Sequence, residues 1–385
     1  MKERQSNIEL LRIVSMFFIV IEHLLIMGTE FFSNPIGNQL LVANSIIGFT
    51  YIGVNCFILI TGYFGADFSW KRLLSLYLIC FFYELVGFIV EYGMGDVALN
   101  STSLSYIIFP LSHSNNWFVR CYVILLFLLP IINAGLERLE KRQFLYILLL
   151  LTVLNLYFGW FHKQENFNGN GYNASQMIYM YVVGRYISRY VNIAQIRIWR
   201  KYILLIWCAS SILWGVIQNI NNTIHSVPHW NGWAYNNPVL IISAVALFLF
   251  FASLEIKPSR IVNMFAAGMF PVFLIHMNRY LGSYVFHSVH DVIYSNPLSH
   301  TLWLQVVVLI VVAILLLIAC SIIDMPRARL HKWILCQYEN LFAHTHTHTH
   351  THTHTWAALS PIMIRINSNI HLQISNDKCP MTNDQ

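Results

Sequence analysis

Charged residues are scarce in this chain of 385 residues. Asp, Glu, Lys and Arg together make up 10% of it, whereas 57% of the residues are hydrophobic. A water-soluble domain usually carries about 25% charged residues. The scarcity of charge therefore excludes an ordinary soluble enzyme, and the sequence predicts an all-α protein that crosses a membrane several times.

Ten apolar segments are long enough to cross a bilayer as helices. A membrane-spanning helix needs about 20 mainly apolar residues, because the hydrocarbon core is ~30 Å thick. The predicted spans are residues 8–27, 40–61, 72–91, 117–134, 143–161, 174–190, 202–220, 238–254, 262–286 and 301–323.

Basic residues are distributed unevenly between the loops. Short loops rich in Lys and Arg stay in the cytoplasm. With the N-terminus inside, the cytoplasmic segments hold most of the 23 basic residues, whereas the outer loops hold Lys163. We therefore predict that both termini are cytoplasmic. The net charge of +6 is explained by this distribution of basic residues between the loops, so we do not expect nucleic acid as a partner.

Motifs of several common enzyme classes are missing. The seven cysteines show no paired spacing of the kind that forms a disulfide framework or a zinc site. The sequence also lacks GxSxG, HExxH, a Walker loop and a DxD-like pair. We therefore expect no metal cofactor. The N-terminus lacks a signal-peptide cleavage site, so we expect the first span to remain as an anchor.

The end of the chain differs from the rest. We predict a membrane domain over residues 1–333 and the cytoplasmic end of the last helix over residues 334–343. Residues 344–355 read HTHTHTHTHTHT, and residues 356–385 are predicted to be disordered. Because a repeated CA dinucleotide encodes His-Thr, we interpret this tail as an out-of-frame ending of a phase-variable coding sequence, dispensable for chemistry.

The first span, in RQSNIELLRIVSMFFIVIEHLL, carries Arg12, Glu22 and His23 inside its apolar run. Each ionisable residue costs at least ~2.5 kcal/mol at the centre of a bilayer helix, so such residues indicate function. Arg12 and His23 are eleven residues apart, which places them on one helix face and about 16 Å apart along the axis. Glu9 lies one turn before Arg12 on that side.

Other spans supply further ionisable residues. Arg120 lies near the outer end of the fourth span, and Glu84 lies near the middle of the third. In the ninth span, His276 and Arg279 are spaced i and i+3, which predicts that they lie on one helix face. We expect these histidines and arginines to line a polar cavity that opens outward with His23.

Two kinds of chemistry suit this set of residues. A neutral histidine can remove a proton from a hydroxyl near pH 7. An arginine can hold a carbonyl oxygen or a phosphate. The residues alone favour either acyl transfer or proton-coupled transport of small carboxylates or glycans, whereas a purely structural anchor does not explain ionisable residues in four spans.

Four motifs along the chain resemble a known family. They are SNIELLRIVSMFFIVIEHLL, GVNCFILITGYF followed by WKRLLSLYL, NNWFVRCYVILLFLLPIINAGLERLEKRQF, and MFPVFLIHMNRY. In this order they resemble the integral membrane acyltransferases of the acyltransferase 3 type, over roughly residues 4–330. The resemblance implies that Arg12 and His23 are the essential pair of the first helix and that His276 is the histidine of the late motif.

The same resemblance implies a reaction. An acetyl group of acetyl-CoA is transferred to a hydroxyl of a surface polysaccharide or lipid-linked saccharide, in the bacterial cytoplasmic membrane. Lys71, Arg72 and Arg12 are expected to bind the coenzyme phosphates, and His23 is expected to act as general base or acyl carrier.

Supporting roles complete the expected site. Arg120 or Arg279 is expected to stabilise the developing oxyanion, and Glu22 or Glu84 is expected to orient the imidazole of His23.

Overall fold

The computed structural model describes residues 4–113, 117–162, 167–223, 233–294 and 301–349, and over these ranges it contains helices and no strand. The all-α class is therefore confirmed. The helices are α1 (Ser6–Met27), α2 (Gln39–Thr50), α3 (Gly53–Phe64), α4 (Trp70–Met94), α5 (Ser101–Ile108), α6 (Pro110–His113), α7 (Trp117–Glu137), α8 (Lys141–Leu154), α9 (Ala174–Tyr190), α10 (Ile193–Ile198), α11 (Arg200–Thr223), α12 (Pro238–Ala252), α13 (Arg260–Ala267), α14 (Met269–His276), α15 (Gly282–Tyr294) and α16 (Leu302–Thr349).

Seven stretches within the described ranges are long and apolar enough to cross a membrane, which confirms a multi-pass membrane protein. They are Ser6–Met27, Gln39–Phe64, Trp70–Met94, Trp117–Glu137, Lys141–Phe161, Arg200–Asn222 and Leu302–Tyr338. The stretch that begins with α8 continues through a π-helical segment, Asn155–Phe161.

The three remaining predicted spans coincide with shorter helices. α9 has 17 residues, and Pro238–Ala252 and Arg260–His276 are shorter apolar helices. The ninth predicted span, residues 262–286, is not one continuous helix: Gly268 separates α13 from α14, and α14 ends at His276 before α15 begins.

Polar residues begin several of these helices. The side chain of Asn173 accepts hydrogen bonds from the backbone N–H groups of Ser175 and Gln176 at the start of α9. Asn237 accepts from Val239 N–H at 2.9 Å, and Pro238 occupies the first turn of α12. Such caps satisfy backbone donors that have no partner within the helix.

The first helix lies at the centre of the main unit of the chain, Met1–Met325. α1 packs against α2, α3, α12, α13, α14 and α15, so its ionisable residues face protein on several sides. The tightest helix pair beside it is α3 and α9, where a Cβ at Gly62 would collide with the backbone carbonyl of Tyr181. Glycine at this position permits the close approach.

The second unit begins at Pro326, which lies inside α16. The backbone of α16 extends to Thr349. Residues 350–385, which include half of the His-Thr repeat and the whole predicted disordered tail, lie outside the described residues. The six cysteines in the described part of the chain are free thiols.

Candidate active site

Two histidines from distant parts of the chain are in contact. His23 lies in the last two turns of α1, and His276 is the last residue of α14. Nδ1 of His23 is 2.9 Å from Nε2 of His276, and His276 is fully buried whereas His23 is partly buried. The structure thus brings together the two histidines that the sequence singled out.

Hydrogen bonds determine which nitrogen of each ring carries a proton. Nδ1 of His276 is 2.6 Å from the carbonyl oxygen of Val272. A carbonyl only accepts, so this nitrogen is the donor. A neutral His276 then presents Nε2 as an acceptor, and Nδ1 of His23 donates to it. In the neutral pair, Nε2 of His23 therefore carries a free lone pair.

The helix that carries His276 ends there. Met277 is its C-terminal cap, and the side chain of Asn278 accepts hydrogen bonds from the N–H groups of Tyr280 and Leu281, which turns the chain towards α15. The prediction that His276 and Arg279 share one helix face is therefore wrong. The apolar residues continue past His276 in the sequence, but the turn formed by Asn278 interrupts the helix.

Arg279 lies against a different part of the molecule. Its guanidinium carbon is 3.4 Å from the ring centroid of Tyr106, a cation–π contact, and its charge interacts with the carboxyl of Glu84. Glu84 is buried, and its Oε2 has no hydrogen-bond partner among the described residues. Arg120 is exposed on the first turn of α7.

Glu22 contacts a tyrosine. The Tyr235 hydroxyl lies 3.5 Å from Oε1 of the buried Glu22. The expectation that Glu22 or Glu84 orients the His23 imidazole is not met, because His276 is the hydrogen-bond partner of the His23 ring within the described part of the chain. Neighbouring side chains of one helix diverge by about 100°, which directs Glu22 away from the ring of His23.

Tyr235 belongs to a cluster of aromatic rings above Glu22. It stacks on Tyr51 with ring centroids 4.6 Å apart, and the Tyr51 hydroxyl is hydrogen-bonded to that of Tyr172. Trp117 packs on both Tyr172 and Tyr235. Burial, and then the nearby Glu22 carboxyl, raise the pKa of Tyr235 well above its ordinary value, so its hydroxyl stays protonated and donates to Glu22.

A buried group of amide side chains holds the backbone of Tyr235; this carboxamide cluster consists of Asn55, Asn155, Asn168, Gln176 and Asn236. The side-chain amide of Gln176 donates to the Tyr235 carbonyl at 2.9 Å and to Asn55 Oδ1 at 3.1 Å. Asn55 donates to the same carbonyl at 2.9 Å, and Asn155 donates to Gln176 Oε1 at 3.0 Å. Three helical elements therefore fix the position of the segment that covers Glu22.

We expect Gln176→Ala to lower the free energy of unfolding by about 1–3 kcal/mol, because the amides of Asn155 and Asn168 then lose an acceptor in a buried environment. The measurement is the thermal unfolding midpoint in detergent. Asn44→Ala is the matched control: Asn44 is also fully buried, but its amide bonds to Asn219, and its own Oδ1 already lacks a partner among the described residues. A smaller shift for Gln176→Ala than for Asn44→Ala would contradict the proposed role of the cluster.

One end of a cavity of about 390 Å³ approaches the histidine pair, although neither histidine lines it. Its walls are mainly apolar, and along α1 it extends from Arg12 to Ile19, about 10 Å. Ile19 is one turn before His23, and Phe273, which also lines the cavity, has its ring centroid 6.3 Å from that of His23. The volume is within the range of small-molecule sites, about 300–1,000 Å³.

The opposite end of this cavity is basic. Arg12 and Arg4 both line it. Nη1 of Arg12 is 2.8 Å from Glu9 Oε2, and 27% of the Arg12 side chain is exposed. Nη1 of Arg4 donates to the backbone carbonyl of Asn263 at 3.2 Å. Both guanidinium groups are thus held at the cavity while retaining further N–H donors for a ligand.

The start of α4 lies near this basic end. Arg72 donates to the backbone carbonyl of Asp67, and both Arg72 and Arg12 interact electrostatically with the hydroxyl of Tyr122, which lines the cavity. Leu76, one turn after Arg72, also lines the cavity. Lys71 is exposed at the first turn of α4. Arg72 and Arg12 therefore both lie near Tyr122, on the basic side of the cavity.

Sequence reasoning missed several residues of this site. From the sequence, Arg4 is one of the cytoplasmic basic residues that set the topology, and no role is predicted for Tyr122, Phe273 or Tyr235. The proximity of Arg4 to the first span, on the side of Arg12, is the signal that could have identified it. The other three could not be identified without the packing of distant helices.

The arrangement combines two functions in one cavity. Its basic end suits a polyanion, because arginine binds phosphate through paired N–H donors. The histidine end offers one imidazole nitrogen that can take up a proton or an acyl group. An apolar passage connects the two ends, as the transfer of a group from an anionic carrier requires.

Comparison with known proteins agrees with this chemistry. The family model described as an acyltransferase domain matches residues 5–323, which is most of the chain. No curated protein and no solved structure matches it. The matched region includes α1 to α15 and most of the membrane-spanning part of α16. The chain belongs to the acyltransferase 3 family and is a multi-pass membrane acyltransferase.

Proposed function

We propose that this acyltransferase transfers an acetyl group from acetyl-CoA to a hydroxyl of a surface or exported polysaccharide, and that it does so in the bacterial cytoplasmic membrane. The observation that carries the proposal is a mainly apolar cavity lined by Arg4 and Arg12 at one end and, at the other, by Phe273, whose ring contacts both His23 and His276. Family membership gives no support to the alternative of a proton-coupled transporter.

The donor binds at the basic end of the cavity. Arg12, Arg4 and Arg72 bind the phosphates of acetyl-CoA on the cytoplasmic side, and exposed Lys71 adds a further positive charge at the entrance. The uncharged arm and its thioester lie along the apolar walls. Removal of water from this passage strengthens each electrostatic contact with the donor.

The histidine pair performs the transfer. As general base, Nε2 of His23 takes the proton of the acceptor hydroxyl while its oxygen attacks the thioester carbonyl carbon. The tetrahedral intermediate then expels the CoA thiolate, which receives the proton from Nε2. Acting instead as acyl carrier, Nε2 of His23 attacks the thioester carbonyl carbon and the CoA thiolate leaves. The acceptor hydroxyl oxygen then attacks the acetyl-imidazolium, its proton passes to the thiolate, and neutral His23 is restored.

The other charged residues have smaller roles in this mechanism. His276 accepts from Nδ1–H of His23 and so stabilises the imidazolium as it forms. Arg120 is exposed and lies about 200° around α7 from Phe118, so it is assigned no contact with the reacting atoms. Arg279, held against Tyr106, contributes positive charge farther from the reacting atoms.

A transfer assay tests the proposed function. Membranes that contain the protein, and membranes from cells that lack its gene, are supplied with acetyl-CoA labelled in the acetyl group. Label in the saccharide fraction that depends on the gene supports the proposal. Accumulation of a solute inside vesicles without labelled saccharide would instead support transport and would overturn it.

Arg12→Gln is expected to raise the KM for acetyl-CoA. A hydrogen bond to a charged group contributes about 1.5–3 kcal/mol, which corresponds to an increase of about 10- to 150-fold. The value of kcat should change much less, because the phosphates are remote from the thioester. The measurement is the initial rate as a function of acetyl-CoA concentration.

Arg189→Gln provides the matched control for that variant. Arg189 is exposed; it donates to the carbonyl of Leu136, and it does not line the cavity. This substitution should leave the KM for acetyl-CoA unchanged. An equal rise of KM in both variants would indicate a general loss of positive charge.

A further inference from the structure

Three apolar side chains line the cavity at its histidine end: Ile19, Phe118 and Phe273. Of these, Phe273 contacts both histidines with its ring. Its ring centroid lies 6.3 Å from that of His23 and 6.0 Å from that of His276. A group attached to the thioester must therefore stop beside the Phe273 ring in order to reach His23.

The Phe273 ring has little freedom to move. Phe118 packs on it with ring centroids 5.9 Å apart, and Phe270 stacks on it from the preceding turn of α14. The side chain is 8% exposed. Protein interiors are close-packed, so a ring held on several sides cannot swing away without displacing its neighbours.

We propose that Phe273 limits the acyl group to acetyl, and that it is the principal residue that determines chain-length specificity. This inference rests on the proposed function, since it assumes an acyl-CoA donor in the cavity. The cavity of about 390 Å³ has to hold the donor's arm as well as its acyl group. A longer acyl chain then meets the Phe273 ring before its carbonyl carbon reaches Nε2 of His23.

A series of donors tests this inference. Acetyl-, propionyl-, butyryl- and hexanoyl-CoA are compared by kcat/KM with the wild-type protein and with Phe273→Leu. One methylene in an apolar pocket changes specificity by about 10- to 200-fold. We expect the wild type to prefer acetyl-CoA, and we expect Phe273→Leu to raise the ratio of butyryl to acetyl transfer at least about 10-fold.

Two further variants keep the test decisive. Phe57→Leu removes an equal volume from the cavity wall at a residue with no ring contact to either histidine, and it should keep the wild-type ratio. Ile19→Val adds a smaller space at the histidine end and should raise the ratio of propionyl to acetyl transfer. If Phe273→Leu does not reach the membrane, this ratio in Ile19→Val tests whether the space beside the Phe273 ring limits the length of the acyl chain.

The outcomes separate the two proposals. A wild-type protein that uses none of the four donors would overturn the proposed function itself. A wild-type protein that transfers acetyl groups, together with unchanged ratios in Phe273→Leu and Ile19→Val, would overturn the role of Phe273 alone. Equal changes in Phe57→Leu and Phe273→Leu would also contradict it, since they would indicate that total volume determines the preference.

Discussion

Replacement of His23 by alanine is expected to reduce acetyl transfer by about 10²- to 10⁴-fold, the usual contribution of a general base. The reason is that Nε2 of His23 bears the lone pair that the hydrogen bonds of His276 leave free. Loss of an acyl carrier would be at least as severe. The measurement is gene-dependent labelling of saccharide, normalised to the amount of protein in the membrane.

His290→Ala is the matched control for His23→Ala. His290 is a partly buried histidine of α15 that pairs with Glu30 at 3.4 Å and has no contact with the histidine pair. Its replacement should leave transfer near the wild-type rate. Near-normal transfer by His23→Ala, at normal protein levels, would refute the assignment of His23.

Replacement of His276 by phenylalanine is expected to lower kcat by about 10²-fold. A loss of this size is within the range for a catalytic histidine that is no longer held in its active tautomer. The KM for acetyl-CoA should stay close to the wild-type value, because His276 does not line the donor cavity. Phenylalanine keeps the aromatic contact with Phe273 but offers no acceptor to Nδ1–H of His23. Both tautomers of His23 then become accessible, and the imidazolium loses its partner.

His276→Gln distinguishes a positioning role from a merely structural one. The side-chain oxygen of glutamine can lie near the position of the imidazole Nε2 and accept from His23. We expect it to restore part of kcat, and we expect the pH at which the rate is half-maximal to differ between the two variants. If both variants lose kcat equally and share the wild-type pH profile, His276 does not act through the protonation of His23.

The first helix shows how much of the site the sequence could predict. The spacing of Arg12 and His23 fixed their common face, since both lie on one uninterrupted helix. The ion pair of Arg12 with Glu9 follows from the same local geometry. The all-α class and the membrane spans were predictable for a similar reason, because both follow from runs of about 20 consecutive, mainly apolar residues.

The other half of the site depends on long-range packing. Arg279 was misplaced because the turn at Asn278 depends on a hydrogen bond from its side chain to the carbonyl of Tyr83, which is 195 residues away. Gln176 meets the Tyr235 carbonyl across 59 residues and Asn55 across 121. No local period of the sequence contains such contacts.

The two halves of the histidine pair are separated by 253 residues. At a translation rate of about 5–20 residues per second, His23 enters the membrane roughly 13–50 s before its partner is synthesised. During that interval α1 has neither α13 nor α14 beside it. Under the proposed mechanism, a nascent chain therefore lacks the acceptor for Nδ1–H of His23 until its ninth apolar segment has inserted. We expect a fragment released before codon 276 to transfer acyl groups no faster than His276→Phe.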